Sequence, residues 1–223
     1  GVASIKRICD KHKLFLIEDC AQSHFSEFRG KRAGLFGQAG SFSFYPGKNL
    51  GAYGDAGCII TNDDALADKC RMYSHHGALK KHQHQMEGIN SRLDGIQAAI
   101  LSAKLPHLAG WTEKRIRNAA LYDKWLAGIP GIILPKQRPD TKHTWHLYVI
   151  RSGHREKLAE YLSEKGIETA IHYPVALSNL AVYQYLGYRP SDFPVATELQ
   201  DQILSLPMGP ELTEDMIAHI ADS

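Results

Sequence analysis

The chain has 223 residues, of which 43% are hydrophobic and 22% charged, and its formal net charge is +2 at pH 7. Acids and bases are interspersed without a basic stripe, which argues against nucleic-acid binding, and no apolar run approaches the roughly 20 residues of a membrane-spanning helix. The cysteines show no C-x-x-C spacing, so they predict neither a zinc site nor a redox pair and are typical of a reducing cytoplasm. They are Cys9, Cys20, Cys58 and Cys70.

The first elements predicted are a helix and a strand. Residues 4–13 are amphipathic and predict a short helix with Ser4 as its N-cap. The apolar run 14–17 follows and predicts a parallel strand buried on both faces. This run ends in Glu18 and Asp19, and polar residues at the carboxyl end of a parallel strand tend to line the ligand crevice of an α/β sheet.

A second strand is predicted at residues 39–45, where small or polar residues alternate with aromatic ones. A Pro-Gly pair ends it, and Lys48 follows in a glycine-rich turn. Residues 57–61 predict another apolar strand, and Asn62 or Asp63 is expected to cap the helix that comes next.

The rest of the chain predicts one long helix, followed by a different pattern of short strands and helices. Apolar residues recur at helical spacing over 91–126, and Pro106 is expected to kink or split that helix. After residue 130 the pattern indicates a small α+β domain, which gives two domains, 1–128 and 129–223. The elements predicted there are strands at 146–150 and 167–173 and helices at 154–165, 194–204 and 213–221.

Three polar segments carry the candidate chemistry: Glu18–Gln22, Ser41–Asn49 and Gly88–Ala99. A pyridoxal phosphate (PLP) enzyme needs an amine to hold the cofactor, an acid against its pyridine nitrogen and donors for its phosphate. Lys48, Asp19 and Ser43 have these properties. Taken one at a time, however, a lysine in a glycine-rich loop is usually a solvated surface residue, and an aspartate at a strand end is more often a cap or an ion-pair partner.

Together, the segments E-D-x-A-Q, F-S-F-Y-P-x-K-N and N-S-R-L-D-x-I-Q-A-A resemble the DegT family of sugar aminotransferases, which are PLP enzymes of fold type I. The resemblance continues through His172-Tyr173-Pro174 to residues 204–208 and covers essentially the whole chain. It implies an α/β fold in which residues 1–128 are part of the large mixed-sheet PLP-binding domain and residues 129–223 are the small C-terminal α+β domain.

The resemblance also implies a role for each motif residue. Lys48 is the catalytic lysine that forms a Schiff base with PLP and then carries the proton, Asp19 pairs with the pyridine nitrogen, and Gln22 lies near the ring. Ser43 binds the phosphate, and Asn90 reaches the phosphate of the neighbouring subunit's cofactor. The family's site is therefore shared across a homodimer.

The substrate implied is a nucleotide-linked keto sugar, used in polysaccharide or related sugar biosynthesis, with glutamate as the amino donor. Relatives with histidine at the position of Lys48 are sugar dehydratases, so the lysine favours amino transfer. His172 and Tyr173 resemble the substrate-binding residues of relatives that aminate a 3-keto hexose. A 4-keto sugar and an aminocyclitol ketone are the alternatives.

Family members carry a further N-terminal segment with another phosphate-binding loop, so the chain resembles the C-terminal part of such an enzyme. This leaves open a non-catalytic reading, in which the chain is a truncated remnant that acts in dimerisation or regulation.

A histidine cluster near the middle of the chain has two interpretations. One is a metal site, and the other, which we favour, is a solvated or substrate-contacting loop without metal. Its members are His75, His76, His82 and His84.

Overall fold

Two units divide the 223 residues, all of which the computed structural model describes. The first consists of Gly1–Glu113 and Arg138–His146, and the second of Lys114–Gln137 and Leu147–Ser223. Spatial units need not coincide with domains, so the boundary expected between residues 128 and 129 stays a prediction. None of the helices is both long and apolar enough to cross a membrane.

The first unit is built around a mixed three-stranded sheet of order β1-β4-β5, in which β1 and β4 are parallel and β4 and β5 antiparallel. A second, antiparallel sheet has the order β3-β2-β7. The strands are β1 (Ile17–Asp19), β2 (Glu27–Phe28), β3 (Lys31–Arg32), β4 (Ala39–Ser43), β5 (Gly57–Ile60) and β7 (Thr141–Lys142).

Four helical segments belong to this part of the chain. They are α1 (Val2–His12), α2 (Asp64–Ser74), α3 (Gly95–Lys104) and the 3-10 helix Leu105–His107, which leads into α4 (Leu108–Trp125). Pro106 lies in the 3-10 turn, which confirms the predicted split. The cap of α2 is also confirmed, because the Asp63 carboxylate accepts a hydrogen bond from the Leu66 N–H. An apolar cluster in this unit is formed by Leu50, Ala52, Leu101 and Leu108, with Phe25, Phe44 and Ala56 packed against it.

Two predictions at the start of the chain are wrong. Helix α1 begins at Val2, and Ser4 is not its cap, because the Ser4 N–H is already bonded to the Gly1 carbonyl oxygen at 3.0 Å. The strand expected at 14–17 begins only at Ile17 and is not buried, since Phe15 is 83% and Ile17 68% exposed. An apolar run predicts burial only where another layer covers it, and β1 has β4 as its single strand neighbour.

The second unit contains an antiparallel sheet of order β6-β8-β9 with helices packed around it. Its strands are β6 (Ile132–Ile133), β8 (Tyr148–Ser152) and β9 (Ile203–Leu206). Its helices are α5 (Arg155–Glu164), α6 (Pro194–Gln200), α7 (Glu214–Asp222) and three 3-10 segments, Leu177–Asn179, Ala181–Leu186 and Pro190–Asp192.

Here too two predictions are wrong. Residues 167–173 do not form a strand, and only Ala170 makes an isolated bridge, with Ser205. The helix expected over 194–204 ends at Gln200, because the chain then pairs with β8 as strand β9 and buries Leu204 completely. Helices close to the predicted 154–165 and 213–221 are present.

One face of α4 anchors the segment 207–212 through polar side chains. Arg115 donates to the Met208 carbonyl oxygen at 3.1 Å, Asn118 to that of Gly209 at 2.9 Å and Tyr122 to that of Pro207 at 2.8 Å. The spacing of three and four residues places these side chains on one helix face. These three side chains supply hydrogen-bond donors to the backbone carbonyl groups of the segment 207–212. That segment is irregular and has no neighbouring strand whose N–H groups could bond to them.

Candidate active site

The sheet places two of the predicted site residues on one face. Asp19 in β1 lies directly opposite Ser41 in β4, so their side chains point to the same side of the sheet. Ser43 lies two residues further along β4 and points the same way, whereas Phe42 and Phe44 point to the opposite side. The predicted acid and the predicted phosphate donor therefore share one face.

The Asp19 carboxylate is exposed and held in place. Its Oδ1 accepts a hydrogen bond from the Ala21 N–H at 3.0 Å, and Oδ2 makes no hydrogen bond within the chain. The turn that follows is fixed by the Cys20 N–H, which donates to the Ser41 carbonyl oxygen at 2.8 Å. Burial, together with the negative charges of Glu18 and Asp19, raises the pKa of Cys20 to about 11, so this thiol stays protonated. Gln22 is exposed just after this turn.

Glu18 has a different role from its neighbour Asp19, which the sequence did not reveal. Its carboxylate accepts three backbone hydrogen bonds, from the N–H groups of Gly34 (2.8 Å), Phe36 (2.6 Å) and Gly37 (2.8 Å). Charge-assisted bonds of this kind are among the stronger ones in proteins. Glu18 therefore ties the loop 34–37 to β1 and fixes the strand end that presents Asp19.

Lys48 sits on a tight turn just after β4. Its N–H donates to the Tyr45 carbonyl oxygen at 2.9 Å, and its half-buried side chain makes no hydrogen bond or salt bridge. The turn needs glycine at position 51, because a Cβ there would lie 2.2 Å from the Pro46 carbonyl oxygen. Lys104 of α3 supports the turn by donating to the Gly51 carbonyl oxygen at 2.7 Å.

Asn49, next to Lys48, is a site residue that sequence analysis quoted within a motif but gave no role. It is only 7% exposed. Its Nδ2 donates to the Thr144 carbonyl oxygen at 3.0 Å, and its Oδ1 lies 3.1 Å from Nδ1 of His146. Thr144 is 95 positions away along the chain, so no local pattern indicates this contact.

His24 lies on the other side of the sheet, among aromatic rings. It is 3% exposed, its ring centroid is 5.5 Å from that of Phe42 and 5.8 Å from that of Phe44, and neither ring nitrogen makes a hydrogen bond of ordinary geometry. Burial lowers the pKa of His24 below its ordinary value, the backbone of Ser43 opposes this shift, and the positive charge of Lys48 adds to it. The imidazole is therefore neutral in the folded protein.

We expect this buried imidazole to make the fold sensitive to mild acid. Because the pKa of His24 is lower in the folded than in the unfolded chain, the unfolded chain takes up the proton first as the pH falls. The stabilisation is present above about pH 6.5, the ordinary pKa of histidine, and is lost progressively below it. In urea unfolding at pH 7.5 and 5.5, His24→Leu is expected to show a smaller decrease in the free energy of unfolding than the wild type. The exposed His12, changed to Gln, is the control, and equal pH dependence of wild type and His24→Leu would contradict the prediction.

A groove of about 1160 Å³ opens beside Ser43 in the first unit. Its walls carry cationic side chains, among them Lys69 and Arg92, as well as the hydroxyl of Ser43. Hydroxyl and guanidinium donors are the groups that hold phosphate in proteins. The amine of Lys48 and the free oxygen of Asp19 are the other groups that PLP requires, but neither residue is among those that line this groove.

The structure places Asn90 on the surface of the first unit. Its Oδ1 accepts a hydrogen bond from Nε of Arg92 at 2.9 Å. The histidine-rich loop nearby is held by its own backbone, with Nδ1 of His84 2.7 Å from the His76 carbonyl oxygen. No three His, Cys, Asp or Glu side chains are grouped so as to hold a metal ion. The contact of Asn90 with a second subunit stays a prediction.

His172 and Tyr173 lie in the second unit. Nδ1 of His172 is 2.8 Å from Oγ of Ser205 in β9. Tyr173 is 64% exposed and lines an apolar pocket of about 570 Å³, together with aromatic side chains that include Tyr188 and Phe193. Their role towards a substrate stays a prediction.

The fold is that of sugar aminotransferases of known structure. The chain superposes on DesV of S. venezuelae with a TM-score of 0.95 and 40% identity, covering 100% of this chain and 60% of DesV. A DegT DnrJ EryC1 StrS aminotransferase from Brucella abortus gives a TM-score of 0.93 and 37% identity, with 100% and 59% covered.

The chain belongs to the DegT/DnrJ/EryC1/StrS aminotransferase family, whose model matches residues 1–223. This confirms the predicted family and the fold type I architecture, and it confirms PLP as the cofactor of the family.

Three curated relatives illustrate what the family contains. The chain is 44% identical over 221 residues to a "pleiotropic regulatory protein" of Geobacillus stearothermophilus, covering 98% of this chain and 59% of that protein. It is 40% identical over 220 residues to dTDP-3-amino-3,4,6-trideoxy-alpha-D-glucose transaminase of Streptomyces venezuelae, with 99% and 58% covered. It is also 40% identical over 217 residues to UDP-N-acetyl-3-dehydro-alpha-D-glucosamine 3-aminotransferase of Acidithiobacillus ferrooxidans, with 97% and 58% covered. The chain thus spans less than two thirds of these relatives.

Proposed function

We propose that the protein containing this chain is a PLP-dependent aminotransferase that moves an amino group from glutamate to a nucleotide-linked keto sugar. The observation that carries the proposal is the Lys48 turn. It presents an amine without an internal partner just after the strand on which Ser43 lies, and Ser43 shares its face with Asp19.

Each residue then has a defined task. When bound, PLP supplies an aldehyde for the attachment of amines and a ring that withdraws electrons from the reacting carbon. Nζ of Lys48 would hold PLP by its aldehyde and would carry the proton at the substrate carbon. Oδ2 of Asp19 would pair with the ring nitrogen and keep it protonated. Ser43 would donate its hydroxyl to the phosphate, and Gln22 would lie near the ring.

We favour a 3-keto hexose as the acceptor. His172 and Tyr173 resemble the residues of relatives that act at this position. The names of the S. venezuelae and A. ferrooxidans relatives also place nitrogen at carbon 3 of the sugar. A 4-keto sugar and an aminocyclitol ketone are the alternatives that the assay below separates.

The proposal includes a homodimer with a shared site. Asn90 is exposed and its amide is oriented by Arg92, so it is accessible to a second subunit. In this arrangement Asn90 binds the phosphate of the neighbouring cofactor.

A regulatory protein without catalysis is the second candidate. It is favoured by the name of the G. stearothermophilus relative, which is 44% identical. This candidate predicts no turnover with any keto sugar.

The test begins with the protein expressed from its natural gene and incubated with PLP. Borohydride should fix the cofactor on Lys48, identified by peptide mass spectrometry, and should leave the exposed Lys157 unmodified. Glutamate is then supplied with a nucleotide-linked 3-keto hexose, a 4-keto hexose or an aminocyclitol ketone.

The expected result is one 2-oxoglutarate per amino sugar formed, fastest with the 3-keto hexose. A faster reaction with another ketone corrects the substrate alone. Cofactor fixed elsewhere than on Lys48 would refute the catalytic role, and the absence of turnover with every ketone would support the regulatory candidate.

A further inference from the structure

Residues 138–146, which we call the strap, belong to the first unit although they are separated along the chain from its other residues, 1–113. One end is fixed to β2 by strand β7 and by Arg29, whose N–H donates to the Asp140 carbonyl oxygen at 2.7 Å and whose Nε lies 3.1 Å from Asp140 Oδ2. The other end is buried, with Thr144 1% and Trp145 5% exposed.

The buried end of the strap holds both polar atoms of the Asn49 side chain. Nδ2 of Asn49 donates to the Thr144 carbonyl oxygen, so the amide orientation is fixed and Oδ1 must be the atom that faces His146. Oδ1 is an acceptor only, and Nδ1 of His146 therefore carries the proton of that hydrogen bond. An amide bonded in this way at both atoms has one orientation.

A further contact ties Thr144 itself in place. Its Oγ1 lies 2.9 Å from Oγ of Ser26, in the segment that follows the Asp19 turn. Thr144 thus connects two parts of the candidate site, the segment after β1 and the turn after β4.

Lys48, in contrast, has no side-chain partner to direct it. The direction of its side chain depends on the backbone of the turn, and that backbone is fixed by the Lys48 N–H bond to Tyr45 on one side and by Asn49 on the other. Loss of a buried polar partner shifts a local equilibrium by roughly tenfold. The turn is therefore sensitive to the Asn49 amide.

We propose that Asn49 is a positioning residue that, held by the strap, directs the Lys48 amine towards the aldehyde of the cofactor. This inference rests on the role proposed above for Lys48. It adds that residues about 95 positions away along the chain set the reactivity of this amine.

The experiment compares two reagents on the protein expressed from its natural gene, freed of cofactor. The first is PLP, whose attachment to Lys48 is followed by borohydride trapping over time and over pH. The second is acetic anhydride, a small reagent that needs no positioning, and its reaction with each lysine is measured by peptide mass spectrometry. The variants are Asn49→Ala, the milder Asn49→Gln, and the control Asn62→Ala, which changes an exposed asparagine of the same unit.

Asn49→Ala is expected to slow PLP attachment about tenfold, with Asn49→Gln intermediate and Asn62→Ala close to wild type, while acetylation of Lys48 and Lys157 stays unchanged. Should Asn49→Ala fold poorly, the comparison of Asn49→Gln with Asn62→Ala decides in the same way. Unchanged PLP attachment in the Asn49 variants would overturn the inference, and so would a general rise in acetylation of all lysines. A wild-type protein that does not attach PLP at Lys48 would instead refute the proposed function, and this inference with it.

Discussion

Replacing Lys48 with alanine is expected to reduce amino transfer to the keto sugar by a factor of about 10²–10⁴ or more, the range lost with a general acid–base group. In the proposed function Nζ of Lys48 both attaches to the cofactor and moves the proton, and its neighbours offer no second amine on the turn. Turnover is measured as 2-oxoglutarate released from glutamate, and attachment as borohydride-stable label on the peptide that contains residue 48.

The substitution should leave the fold intact, which separates chemistry from stability. The Lys48 side chain makes no hydrogen bond or salt bridge in the structure, so we expect the free energy of unfolding to change by no more than about 0.5 kcal/mol. Lys48→Arg keeps the charge without a primary amine and should be as inactive as Lys48→Ala. Lys157→Ala, on the exposed surface of α5, should behave as the wild type.

Two results would count against this assignment. One is a Lys48→Ala protein that still carries borohydride-stable label, because another amine would then hold the cofactor. The other is an active Lys48→Arg protein, because a guanidinium does not attach to an aldehyde under these conditions.

Features with local causes were predictable from the sequence. Pro106 has no N–H to continue a helix, and it marks the place where α3 and α4 separate. Asp63 precedes an apolar-periodic stretch and caps α2 as expected. The order of strand, Pro-Gly break and glycine-rich turn likewise located Lys48 correctly between β4 and β5.

Features that depend on distant partners were not predictable. The run 201–204 is helical in its pattern, but Asp201 and Gln202 form a turn and residues 203–204 begin β9, because β8 offers them hydrogen bonds. The apolar run 14–17 indicates burial, yet its exposure depends on which layers cover it, and no periodicity records that. Tertiary pairing overrides local propensity in such cases.

The candidate site divides in the same way. Asp19, Ser43 and Lys48 were predicted as site residues because they lie in motifs that resemble a known family, and their roles stay predictions. The distinct tasks of Glu18 and Asn49 needed the structure, since their partners are backbone groups, and any residue type supplies a backbone N–H or carbonyl group. Sequence patterns therefore identify the reactive groups here more readily than the groups that orient them.

The largest stability effect is expected at Asn118 of α4. This side chain is completely buried, and its Nδ2 lies 2.9 Å from the Gly209 and 3.4 Å from the Leu212 carbonyl oxygen. Asn118→Ala leaves both carbonyl groups without that donor, and an unsatisfied buried polar group costs about 1–3 kcal/mol. We expect the free energy of unfolding to fall by about 2–4 kcal/mol, measured by urea unfolding followed by circular dichroism.

Graded variants on the same helix distinguish lost hydrogen bonds from simple loss of packing. Tyr122→Phe removes a single donor to Pro207 and keeps the ring stacked on Tyr148, so it should cost about 1 kcal/mol. Lys124→Ala, at an exposed position of the same helix, should change stability by less than about 0.5 kcal/mol. Asn118→Asp keeps the shape of the side chain but turns carboxylate oxygen towards two carbonyl oxygens, so it should be at least as damaging as Asn118→Ala. A nearly neutral Asn118→Asp would mean that the Nδ2 donor of Asn118 does not stabilise the segment 207–212, because the shape of the side chain would then suffice without it.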